Sequence, residues 1–209
     1  MPPNPHTKAV RHLKKADPKL AAIIESVGPC RLQPIAEGSH FHAMCRSIVY
    51  QQLSGKAAGT IHARFLALFG GAPEPAEVLS MPETRLREAG LSRQKLTYLK
   101  SLAEHVHNGS LPFDRVESMT DQEIIDALTA VKGIGRWTAQ MFLMFRLGRP
   151  DVLPDLDLGI QKGIQRAYRM RKLPKPAKVL EVGRKWAPYR TIASWYLWRS
   201  LDNGGGQTG

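Results

Sequence analysis

The 209 residues suffice for one large domain or two small lobes, and a hydrophobic fraction of 43% allows a buried core. Lysine and arginine number 30 against 18 aspartates and glutamates, and the net charge of +12 calls for an acidic partner without choosing among nucleic acid, an anionic membrane surface and the ribosome. Two cysteines, Cys30 and Cys45, are too few for a four-thiolate cluster or a zinc ribbon and read as free buried thiols. No apolar run spans a bilayer and Met1 to Lys15 lacks the apolar core of a secretory signal, so the chain is expected inside the cell and off the membrane.

In chain order, almost every segment reads as helix. Met1 to Thr7 is rich in proline and expected to fray, and Pro18 to Ser26 is a short helix stopped by Gly28-Pro29. Ser39 to Gln52 carries Phe41, Met44, Cys45, Ile48 and Val49 at helical spacing, and Ser54 caps a helix over Gly55 to Phe69. After the turn at Gly70 to Pro73 come two short helices, Pro75 to Ser80 and Glu83 to Glu88, then Ser92 to Val106, closed by Asn108-Gly109. Asp121 to Val131 has acids at its start and Ile124, Ile125, Leu128 and Val131 on one face. A further helix is expected over Leu158 to Met170, and Arg169 to Lys178 reads as a solvated basic loop. No stretch alternates with period two for long enough to propose a strand, so the fold class is all-α. The closing Gly204 to Gly209 is of low complexity and expected to be disordered.

Two stretches carry chemistry. Lys132-Gly133-Ile134-Gly135 ends one helix and opens another; two glycines permit a positive φ and keep side-chain bulk away from the amides, while the next helix turns its positive end to the same spot. That arrangement suits a phosphate, although a glycine stop before a helix is also an ordinary helix end. Downstream, Asp155 and Asp157 precede a helix, and either would cap it. The seven histidines offer no metal-ligand spacing on one helix face and are read as surface or core residues.

With these motifs in hand, the chain resembles the helix-hairpin-helix DNA glycosylases, and within them the DNA-3-methyladenine glycosylase II family in its short, all-helical form, over Phe41 to Asp202. The resemblance implies two helical lobes, residues 1–40 with 151–209 and residues 41–150 holding the hairpin motif at 121–147, with a lesion cleft between them. It implies a monomer that flips an alkylated purine out of duplex DNA and hydrolyses its N-glycosidic bond, leaving an abasic site; the alternative is a non-catalytic protein that only binds alkylated DNA.

Residue by residue, Ile48 to Ala58 is similar to the family's intercalating loop, with Gln52 or Leu53 as the duplex wedge and Ser54 behind them. Gly133, Gly135, Lys132 and Thr138 would contact phosphate, and the carbonyls of Thr129, Val131 and Gly133 would hold a structural Na+ or K+, no other cofactor being expected. Trp137 stands where bifunctional relatives carry the Schiff-base lysine, which implies a monofunctional enzyme. Asp157 matches the catalytic aspartate, Asp155 being left a supporting role, and Trp137, Met141 and Trp198 are the expected base pocket. Trp186 and Trp195 are assigned to the core, and Arg190 to tying a loop to the last helix or reaching toward Asp157.

Overall fold

The computed structural model describes residues 5–202. It is helical throughout, with no strand among the described residues. In chain order the helices are α1 (Thr7–Ala16), α2 (Pro18–Val27), α3 (His40–Tyr50), α4 (Gly55–Ala67), α5 (Pro75–Ser80), α6 (Glu83–Glu88) and α7 (Arg93–His107). They are followed by α8 (Asp121–Thr129), α9 (Arg136–Phe145), α10 (Leu158–Ala167), α11 (Pro176–Gly183) and α12 (Arg190–Asp202). The fraying expected at the N-terminus falls partly on Met1 to Asn4, and the disorder expected of Gly204 to Gly209 wholly on residues outside those described. From His6 onward the chain is held: the His6 ring nitrogen Nε2 lies 2.7 Å from the Leu32 carbonyl, and α1 begins at the next residue.

The described residues form two compact units, one from the segments up to Pro34 and from Leu143 onward, the other Ile35–Phe142. The divisions lie at 34/35 and 142/143, against the expected 40/41 and 150/151, and the second falls inside α9. The displacement has a side-chain cause: the Phe145 ring, in the last turn of α9, packs against Trp198 of α12 at 5.8 Å.

In the middle unit α7 packs on α3 and α5, and Met44, Cys45, Ile48, Phe65, Leu99 and Leu102 lose essentially all contact with solvent. Serine begins three of its helices. Ser39, Ser54 and Ser92 each accept a backbone N–H from the first turn of α3, α4 and α7, satisfying amides that have no partner within the helix. Thr120 and Glu123 do the same for α8 as a reciprocal capping box.

The terminal unit is built around α12, which packs on α2 and α10 and buries Ala193, Tyr196 and Leu197. Two helices here escape the sequence pattern. One is α1, whose buried side chains are Ala9 and Leu13, with Val10 half-buried against the same core. The other is α11, which begins inside the stretch read as a basic loop, because Pro176 is tolerated at a first helical turn and Val179 and Val182 face the core.

At the centre of this unit lies Asp17, fully buried, capping α2 through the amides of Lys19 and Leu20 at 3.0 and 3.3 Å. Its other oxygen accepts from the Tyr168 hydroxyl and from Trp186 Nε1 at 2.8 Å, and lies 3.3 Å from Lys185 Nζ. Burial works to raise this carboxyl, but the Tyr168 and Trp186 donors, the Lys185 charge and the Leu20 amide outweigh it and hold the group below its ordinary 3.8.

Candidate active site

The glycine hairpin in the middle unit is pinned from below. Val131 and Ile134 are buried, the Ile134 amide bonds the Val131 carbonyl at 3.1 Å, and the Lys132 amide donates to Ser101 Oγ of α7 at 3.2 Å. This anchoring presents Lys132, Gly133, Gly135, Arg136 and Trp137 on the surface at the start of α9.

The two glycines differ in their surroundings, and the positive φ expected of the turn is found at Gly133. Gly133 has φ +82, and a Cβ there would lie 2.2 Å from the Tyr98 ring, so this glycine serves the turn and its close approach to α7. Gly135 has open space where its Cβ would be, and it alone keeps the backbone bare toward solvent for no internal reason. Trp137 is 45% exposed; Thr138 and Met141, further along α9, are half-buried.

The expected wedge loop lies in the same unit, and one side chain ties it to the hairpin. Gln51 Nε2 donates to the Gly133 carbonyl at 3.0 Å, while Lys95 Nζ of α7 reaches the Val49 carbonyl at the end of α3 at 2.5 Å. Burial lowers the Lys95 pKa. Between these ties Gln52 adopts φ 57, a left-handed conformation unusual for a residue with a Cβ, and both Gln52 and Leu53 are exposed. Ser54 is accounted for as the cap of α4.

Sequence reasoning gave α7 as a helix without singling out a polar side chain on it, and so missed Lys95, Tyr98 and Ser101. Their spacing of three residues, which keeps side chains on neighbouring positions of one helix face, was the available signal.

In the terminal unit Asp157 caps α10: its Oδ1 accepts the Ile160 amide at 2.8 Å. The same oxygen accepts Trp198 Nε1 at 2.9 Å, a bond between residues 41 apart in sequence that the reading of Trp198 as a pocket wall did not contain. Asp157 is half-buried between Leu156 and Leu158, which are 52% and 53% exposed. Asp155, by contrast, is buried, and its backbone carbonyl accepts Gln161 Nε2 at 3.1 Å. Solvent reaches the carboxylate that the family pattern selects.

The loop leading to Asp157 is clamped to α12. Arg190 pairs with both oxygens of Asp151 at 2.7 and 2.8 Å, the first of the two roles expected of it. Thr191 Oγ1 donates to the Arg149 carbonyl at 2.7 Å and accepts the Val152 amide at 3.0 Å. Trp186 and Trp195 are core residues, as expected. Cys30 and Cys45 are free and buried, also as read, and burial raises both thiols. No helix among the described residues is long and apolar enough to cross a membrane, and no group of three or more His, Cys, Asp or Glu side chains among them could hold a metal ion.

The described residues are helical, with a glycine turn opening one helix and a half-buried aspartate capping another. Residues 45–188 match the HhH-GPD superfamily of base excision DNA repair proteins, and the chain belongs to that superfamily. It is 37% identical over 198 residues to the DNA-3-methyladenine glycosylase 1 of Schizosaccharomyces pombe, covering 93% of this chain and 87% of that one.

Two solved structures agree in fold. A DNA-3-methyladenine glycosidase from Bacillus halodurans matches with a TM-score of 0.85 and 39% identity, over 97% of this chain and 91% of that chain. The S. pombe 3-methyladenine DNA glycosylase in complex with abasic DNA matches with a TM-score of 0.80 and 37% identity, over 92% and 95%.

Proposed function

We propose that this protein is a monofunctional DNA glycosylase, active as a monomer, that extrudes alkylated purines of the 3-methyladenine and 7-methylguanine type from duplex DNA and hydrolyses their N-glycosidic bond. Kinship with glycosylases over nearly the whole chain favours catalysis over the non-catalytic binding reading. The observation that carries the chemistry is the carboxylate of Asp157, half-buried at a helix N-terminus and oriented by two donors on one oxygen.

As the base departs, positive charge develops on the sugar, and an anion fixed beside it stabilises that state more than the ground state. Asp157 supplies that anion and orients the attacking water. A carboxylate rather than an amine fits simple hydrolysis, and Trp137 leaves no nucleophile at the lyase position.

Gln52 and Leu53, exposed on a strained loop, fill the space left by the extruded nucleotide. Lys132, Thr138 and the amides around Gly135 hold the backbone phosphate. The carbonyls of Thr129, Val131 and Gly133 fit a monovalent cation: Val131 and Gly133 each accept one internal bond, and a carbonyl oxygen has two lone pairs. Bound there, Na+ or K+ would offset the negative end of α8 facing a phosphate.

The exposed indole of Trp137 offers a face to a cationic base, a preference worth about 0.5–2 kcal/mol. Cationic alkylpurines are therefore expected to be released faster than hypoxanthine or ethenoadenine. Single-turnover incubation with methylated duplex tests the whole reading: free methylated purine should appear with the strand intact, and borohydride should trap no protein–DNA adduct. Binding without release would establish the non-catalytic alternative, and an adduct would establish a lyase.

A further inference from the structure

The contact between Trp198 and Asp157 carries more than its expected role as a pocket wall would require. The cap bond, from Ile160 N–H to Oδ1 at 2.8 Å, comes from the helix that the carboxylate itself begins. Trp198 Nε1 reaches the same oxygen at 2.9 Å from a different helix, and two donors from different directions restrict how the group turns.

The donor is also of an unusual kind for a carboxylate. An indole N–H only donates, carries no charge and cannot take the proton, so it orients the anion without neutralising the charge that a sugar cation would need.

The backbone is arranged to admit that donor. Gly159 sits in the first turn of α10 without a positive φ, at a position where glycine weakens a helix. A Cβ there would lie 2.8 Å from Cδ1 and 2.9 Å from Nε1 of Trp198, and 3.0 Å from Asp157 Oδ1. Conformation does not call for a glycine here; the indole edge does. On its other side the ring is backed by Phe145 at 5.8 Å.

We infer that Trp198 is the positioning residue of the Asp157 carboxylate, and that Gly159 is the specific vacancy that lets its N–H reach Oδ1. The inference rests on the proposed role of Asp157 and adds to it a residue pair with separable behaviour.

The test is single-turnover base release from methylated duplex across pH, with DNA affinity and thermal melting measured alongside. Trp198→Phe keeps an aromatic ring but loses the N–H, and should slow release about tenfold to a hundredfold, the range of a hydrogen bond to a charged group. Its acid limb should move to higher pH, because a carboxylate that loses a donor is easier to protonate. DNA affinity should not change. Gly159→Ala should show the same slowing and the same shift with Trp198 still present, and should add nothing when placed on Trp198→Ala.

A Trp198→Phe enzyme with the wild-type rate and pH profile would overturn the inference, as would multiplicative losses in the double variant. Should Gly159→Ala fail to fold, the Trp198→Phe profile decides alone. Asp157→Asn separates the levels: if it releases base like wild type, the role of Asp157 itself is wrong, whereas its loss beside a normal Trp198→Phe removes only the positioning role.

Discussion

Asp17 and Asp157 are local twins with different fates. Each caps a helix of the terminal unit with a side-chain oxygen, and each accepts an indole N–H from the C-terminal part of the chain, Trp186 for the first and Trp198 for the second. The contrast lies in what surrounds them. Asp17 is wholly buried among a tyrosine, a tryptophan, a lysine and two amides, while Asp157 is half-buried between two exposed leucines. Capping an α-helix therefore does not mark a carboxylate as structural or chemical. Burial with several converging donors makes Asp17 part of the fold, and the half-buried setting of Asp157 is the one that suits the chemistry proposed for it.

That contrast can be broken most strongly at Asp17. Asp17→Asn keeps a capping side chain but removes the charge that Tyr168, Trp186 and Lys185 converge on, and should cost about 2–4 kcal/mol of stability. Chemical denaturation reads this directly. Base release per folded molecule should stay near wild type; a rate loss without a stability loss would mean the assignments of the two aspartates are reversed.

The hairpin glycines sharpen the same distinction between fold and function at a smaller scale. Gly133→Ala forces a Cβ into the Tyr98 ring at a positive φ and should destabilise by about 1–3 kcal/mol. Gly135→Ala meets nothing and should leave melting unchanged while weakening DNA binding, damaged and undamaged alike, with an affinity that falls steeply as salt rises. Equal melting curves and equal affinities for both variants would reduce the hairpin to a turn.

The smallest effect is the pH dependence of stability. Asp17 is held below its ordinary 3.8 in the folded protein, so its contribution is fully present above that value and is lost as pH falls through the lower folded value. Wild type should lose stability over this acid window, and Asp17→Asn should lose less of it. An unchanged acid profile in the variant would show that other carboxylates dominate acid unfolding.

What the sequence made legible is local. Glycine stops and serine caps located α3 to α7, and the short helices Pro75–Ser80 and Glu83–Glu88 have the bounds read from it. The solvent-reached aspartate was selected by the family pattern, since both Asp155 and Asp157 looked like caps. The unread features depend on partners far along the chain. Tyr168 and Trp186 reach Asp17 across 151 and 169 residues, and nothing near Asp17 announces them. The approach of Tyr98 to Gly133 and of Trp198 to Gly159 likewise depends on residues distant in sequence, and nothing near either glycine announces it. Helix α1 was passed over because its buried side chains are Ala9 and Leu13, too few to stand out among lysines and histidines.

The most direct test of the account is the single-turnover rate of purine release by Asp157→Asn, at saturating protein on methylated duplex, with melting recorded on the same preparation. Asparagine caps a helix as well as aspartate, so stability should hold. The lost anion should slow release by about a hundredfold or more, the scale of a missing transition-state charge partner, with DNA affinity near wild type. Release within a few-fold of wild type by a folded Asp157→Asn protein would contradict the account.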